Sequence, residues 1–122
     1  MNSFREYLLE SSKKFNIVVD DIEYKVIKSH HIYQPRGNNK IPRDGNMSVL
    51  RYTKLLQFID TNINNADFAI IWTNKDTANG IYGVIDENNI TIITAILKEK
   101  LNKKDRLFRT AKHRYDLGEF SF

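Results

Sequence analysis

The sequence predicts an α+β fold: an antiparallel sheet of about four strands with helices packed on one face, in the order α-β-α-β-β-β-α. Three observations lead there. Two long stretches carry apolar residues at helical spacing. Four others are β-branched or alternate apolar and polar residues. The last three of those are joined by short polar links, which favour antiparallel neighbours.

Ser3 to Asn16 reads as the first helix. Ser3 and Glu6 form an S-x-x-E capping box, and Phe4, Tyr7, Leu8, Ser11 and Phe15 share one face. After the short β-branched run Ile17-Val18-Val19, the alternation from Ile22 to Lys28 predicts the first strand. A second helix is expected from a cap at Asn46 or Ser48 to about Asn62, with Val49, Tyr52, Leu55, Leu56, Ile59 and Ile63 as its stripe. Phe68 to Thr73 is apolar on both faces and so reads as a central strand. Ile81 to Ile85 and Ile90 to Leu97 supply two more, separated from it by an N-K-D-T-A-N-G loop and from each other by a D-E-N-N turn. A last helix is expected around Leu101 to Tyr115.

With 122 residues and 41% hydrophobic side chains, the sequence reads as a single domain, 1–122, able to bury a core. No apolar run reaches the ~20 residues of a membrane span. The N-terminal residues lack the apolar region of a secretory signal. Cysteine is absent, which excludes disulfides, thiolate nucleophiles and cysteine-ligated metals. A cytoplasmic protein is expected, in a host cytoplasm if phage-encoded. The net charge of +4 is uneven. Residues 1–97 balance eleven Lys/Arg against eleven acids, whereas the segment 98–122 holds eight against four. A localised basic segment suits an anionic partner, RNA foremost, through counterion release. A solvated helix face is the plainer reading of the same charges.

The densest chemistry lies from Lys28 to Asn46. These residues include His30, His31, Arg36, Lys40, Arg43, both prolines and two of the five glycines. Pro, Gly and Asn in this number predict a long loop, and long loops in small domains commonly carry function. A histidine moves protons at neutral pH, and arginine or lysine neutralises phosphate. Together these groups suffice for metal-free RNA cleavage: a base takes the 2′-hydroxyl proton, that oxygen attacks phosphorus, cations stabilise the added charge, and an acid protonates the leaving 5′-oxygen. His31 is the candidate base or acid, with His30 beside it and His113 as a second proton carrier. Lys28, Arg36, Lys40 and Arg43 are candidate phosphate contacts, and Lys103, Lys104, Arg106 and Arg109 would guide the RNA. Exposed histidines with ordinary hydrogen bonds are the plainer alternative. A metal site is not expected: H-H-I-Y-Q-P-R-G approaches an H-N-H nuclease opening, but the helix after it carries Lys54 and Gln57 where the last ligand belongs. No cofactor is implied, because nucleotide, dinucleotide and hydrolase motifs are missing. Trp72 and Tyr82 are capable of stacking on bases, though Trp72 reads first as core.

S-H-H, then Arg36, then R-D-G-N-M-S before a helix, and later D-F-A-I-I-W-T and I-T-I-I-T-A-I-L, resemble the barnase–EndoU–colicin–RelE superfamily of small ribonucleases in its phage and toxin branch. The resemblance covers residues 24 to 97, in layout more than identity. It implies a metal-independent endoribonuclease with His31 as proton carrier and Arg36 as phosphate ligand, and a neutralising partner of the kind toxins have. The other reading is a phage or mobile-element accessory factor without catalysis, gripping nucleic acid or an acidic host protein through the loop and tail. A third is an assembly subunit using Phe120 and Phe122 as an apolar hook.

Overall fold

Three two-residue links organise the sheet. A computed structural model describes residues 13–34, 41–100 and 106–122. In it β1 (Lys14–Val19) turns through Asp20-Asp21 into β2 (Ile22–Lys28). Both aspartates take positive φ, 50° and 66°, as a type I′ hairpin requires. A single 3-10 turn, His30–Tyr33, follows, and then α1 (Val49–Leu56). The strands β3 (Ala66–Asn74), β4 (Thr77–Asp86) and β5 (Asn89–Lys100) form a meander through Lys75-Asp76 and Glu87-Asn88. The short helix α2 (Arg106–Thr110) leads into β6 (His113–Glu119).

The six strands lie in the order β1-β2-β5-β4-β3-β6. The pairs β1/β2, β4/β5 and β3/β4 are antiparallel, while β2/β5 and β3/β6 are parallel. This corrects the expected four-stranded antiparallel sheet: the described residues form a six-stranded mixed sheet with two α-helices. The helices also do not share a face. Helix α1 buries Val49, Tyr52, Leu55 and Leu56 in the main core with Phe15, Val26, Phe68, Ile70, Ile85 and Ile92. Helix α2 sets Phe108 against Gly80 and Tyr82, on the opposite face.

Local causes account for the other differences. Most of the expected first helix lies outside the described residues. Its end, Lys14–Asn16, is strand, because Phe15, Ile17 and Val19 alternate with exposed Lys14, Asn16 and Val18. Helix α1 starts at the expected Ser48 cap, whose Oγ accepts from the Arg51 N–H at 3.3 Å, but stops at Leu56. The expected loop of seven residues after β3 shrinks to two. Among the described residues the last helix covers Arg106–Thr110, and His113–Glu119 pairs with β3 instead.

The sheet is strongly curled around α1. Gln57 Nε2 donates to the Val18 carbonyl on one edge strand, at 2.9 Å. Three residues on, the Asp60 N–H donates to the Tyr115 hydroxyl on the other edge strand, at 2.9 Å. A flat sheet would separate those edges by roughly 24 Å, five strand spacings. Register shifts in β5 against β4 and in β6 against β3 supply bending points. No helix among the described residues is long and apolar enough to cross a membrane.

Candidate functional site: a cationic aromatic cleft

The strands β2, β3, β5 and β6 run in one direction, and residues 41–48, just before α1, fold over the end at which they finish. A buried charge cluster holds that loop. Lys28 Nζ lies 3.1 Å from Asp44 Oδ2, the Tyr52 hydroxyl donates to the same oxygen at 2.7 Å, and the Asn46 N–H donates to Oδ1 at 3.0 Å. The side chains of Lys28 and Asp44 have no exposed surface. The ammonium also lies over the rings of Tyr33 and Tyr52, at 5.5 and 5.3 Å. Burial, and then the Asp44 charge, push the Tyr52 hydroxyl well above the usual tyrosine range. Gly45, with φ 63°, follows Asp44, and a Cβ there would meet Leu97 at 2.8 Å. The loop thus lies directly on β5.

Beside this loop opens a cleft of about 790 Å³, in the size range of ligand sites, roughly 300–1,000 Å³. Arg51 from α1, Lys75 from the β3–β4 link and Lys98 from β5 line it, together with Trp72, Phe120, Phe122, Asn74 and Asn79. The backbone positions the two lysines at a cost. Lys75 and Lys98 have φ values of 57° and 59°, in the left-handed region that disfavours side chains with a Cβ. Lys98 sits where β5 slips against β4, and its N–H donates to Asn79 Oδ1 at 2.9 Å. The aromatic lining is continuous: Phe120 meets Phe122 at 5.3 Å and Trp72 meets Phe122 at 5.9 Å, and behind it Phe58 meets Phe120 at 5.8 Å, all edge to face. The guanidinium of Arg51 stands over the Phe122 ring at 5.1 Å. Cations spaced around aromatic rings suit a chain of phosphates and bases.

The residues singled out in the sequence divide sharply. Lys28, a candidate phosphate contact, is buried and its charge is matched by Asp44. His30 and His31 are exposed on the 3-10 turn, and His31 Nδ1 lies 3.3 Å from Gln34 Oε1. Arg43 is half-buried, and its Nε is enclosed with no hydrogen-bond partner among the described residues. Arg36, Lys40, Lys103 and Lys104 lie outside the described residues. Arg106 and Arg109 are exposed on α2, on the face away from α1. His113 begins β6, aligned through Phe68, Gly83 and Ile92 with Lys28. Four strand spacings, about 19 Å along the sheet, separate the two. It is also about 20 Å, the length of β6, from the cleft end. His113 lies in the field of Asp67 instead. Tyr82, a stacking candidate, donates to Asp67 Oδ2 at 2.8 Å on that other face.

Arg51, Lys75 and Lys98 are not among the residues that the sequence singles out, whereas Trp72 lies in the core, as expected. Trp72 is 4% exposed and also lines the cleft. The signal for Lys75 was N-K-D-T between two β-rich runs, which puts the lysine at a hairpin tip. No protein-family model matches the chain, and no significant match was found among curated proteins or solved structures.

Proposed function

We propose that this protein binds single-stranded nucleic acid, RNA in the first instance, in the cleft between α1, the β3–β4 link and β5, and does not cleave it. The observation that carries the reading is the lining itself: Arg51, Lys75 and Lys98 around Trp72, Phe120 and Phe122. Of the acids lining the cleft among the described residues, Asp44 is neutralised by Lys28 and Asp76 is left, with the Glu119 carboxylate 3.4 Å from the Lys75 N–H. His113 stands four strands away along the sheet from the end of β2 that leads into His31, which favours binding over catalysis, because proton transfer at both ends of a scissile bond needs two groups at one phosphate.

The single tryptophan is in the cleft, so its fluorescence is the natural probe. Titration with a short oligouridine at low salt is expected to quench Trp72. Arg51→Ala, Lys75→Ala and Lys98→Ala each weaken binding, while Arg106→Ala and Arg109→Ala leave it within about twofold. No binding at low salt defeats the reading. Fragments ending in 2′,3′-cyclic phosphate, produced in EDTA and lost in His31→Ala, would replace it with the ribonuclease.

A further inference from the structure

Resting on that reading, the geometry points to one defined subsite: we propose that Phe122 occupies the seat of a nucleobase, beneath the Arg51 guanidinium and against Trp72. The seat is built from fixed parts. Trp72 is held within β3 and Arg51 within α1. Trp72 and Phe120 stand nearly perpendicular to the Phe122 ring, at interplanar angles of 84° and 88°. Arg51 places a cation on that ring at 5.1 Å. A planar, electron-rich ring is what such a frame selects, and every base has a π-face for the guanidinium.

The present occupant is weakly fixed. The Phe120 N–H donates to the Thr73 carbonyl at 3.1 Å, and this is the last backbone hydrogen bond of the segment among the described residues. Beyond it the contacts of Phe122 among the described residues are ring contacts with Trp72, Phe120 and Arg51, and it remains 38% exposed. A base entering the seat exchanges one aromatic contact for another and adds two kinds of interaction that phenylalanine lacks. Its polar edge meets the Asn74 amide, which lines the same cleft, and its phosphates meet Lys75 and Lys98. Apparent affinity is therefore reduced by the fraction of time in which Phe122 fills the seat.

The test compares Phe122→Ala, Arg51→Ala and the unaltered protein, binding oligouridine and, separately, inorganic polyphosphate, which has no bases. The expected result is that Phe122→Ala binds oligouridine about threefold or more tightly than the unaltered protein, with polyphosphate binding unchanged. Arg51→Ala binds oligouridine about tenfold or more weakly. Phe122→Leu, which keeps an apolar contact on Trp72, replaces the alanine variant if that one has altered circular dichroism. Weaker oligouridine binding by Phe122→Ala would make the ring a stacking platform and overturn the displaced-seat proposal. Unchanged oligouridine binding overturns it as well, while leaving the cleft as a binding site. If neither ligand binds the unaltered protein, the nucleic-acid reading itself fails and the subsite falls with it.

Discussion

At the scale of single residues, Asp44 decides more than any other side chain. It is the counter-ion of a buried lysine and the acceptor of a buried tyrosine hydroxyl, and it fixes the loop that closes the cleft. Asp44→Ala removes the carboxylate from a buried ammonium, so a loss of about 3–5 kcal/mol is expected in urea unfolding. Tyr52→Phe removes one hydrogen bond to a charged group and is expected to cost about 1.5–3 kcal/mol. A loss below about 1 kcal/mol for Asp44→Ala would mean that Lys28 finds other compensation. Asp67 and Tyr82 govern the response to pH on the opposite face. The Lys112 N–H, with help from the Tyr82 hydroxyl, holds the Asp67 carboxyl below the usual range, whereas burial and the bond to Asp67 push Tyr82 up to about 12. The lowered carboxyl adds stability at neutral pH that is lost as pH falls below about 4, the range in which unfolded aspartate takes its proton. The raised phenol adds stability below pH ~10 that is lost as pH climbs from there toward 12, because the unfolded chain ionises first. Tyr82→Phe is expected to make the alkaline limb of a Tm–pH profile shallower, with Tyr52 sustaining part of the remainder, and to leave the Lys112 contact to sustain most of the acid limb.

Elements are where strain and chemistry meet. Lys75 and Lys98 sit in backbone conformations that glycine adopts freely, so Lys75→Gly is expected to raise stability by about 1 kcal/mol while weakening nucleic-acid binding. A variant that both folds better and binds worse separates a functional lysine from a structural one, and calorimetry with Trp72 quenching measures both. Gly83 makes the contrary case. It lies at the β4–β5 irregularity, and a Cβ there would meet the Thr91 carbonyl oxygen at 2.5 Å and the Phe68 ring at 3.0 Å. Gly83→Ala is expected to cost about 1–3 kcal/mol. Alternation and caps made β2, the start of α1 and the existence of β3, β4 and β5 legible in the sequence. They did not reveal β1, because Phe15 satisfies a helical stripe and a strand alternation equally well. β6 was hidden because H-R-Y-D-L-G-E half-buries only His113, Tyr115 and Leu117, and basic residues dominated its reading. The cleft was hidden for a deeper reason. Its cations come from α1, a hairpin tip and a slipped position in β5, which only the strand order brings together.

For the molecule as a whole, charge and connectivity set the remaining expectations. Three cleft cations acting on a single-stranded ligand predict a slope of about −2 in log affinity against log salt. A slope near zero would point to an apolar partner. The sheet itself is composite: a β1–β2 hairpin, a β3–β4–β5 meander and the solitary β6, with each antiparallel pair closed by two residues and each parallel pair joining distant segments. The β2–β5 pairing spans only Lys25–Lys28 against Asn89–Ile92. Local pairings form readily, whereas these two seams carry the long loop closures. In native-state hydrogen exchange the meander is expected to be the most protected unit, with the hairpin and β6 opening earlier and separately. Phe120 hydrogen-bonds to Thr73 across the β3–β6 seam, at the mouth of the cleft. A ligand lodged there would act as a rivet, slowing exchange throughout β6 and leaving the hairpin's rate untouched.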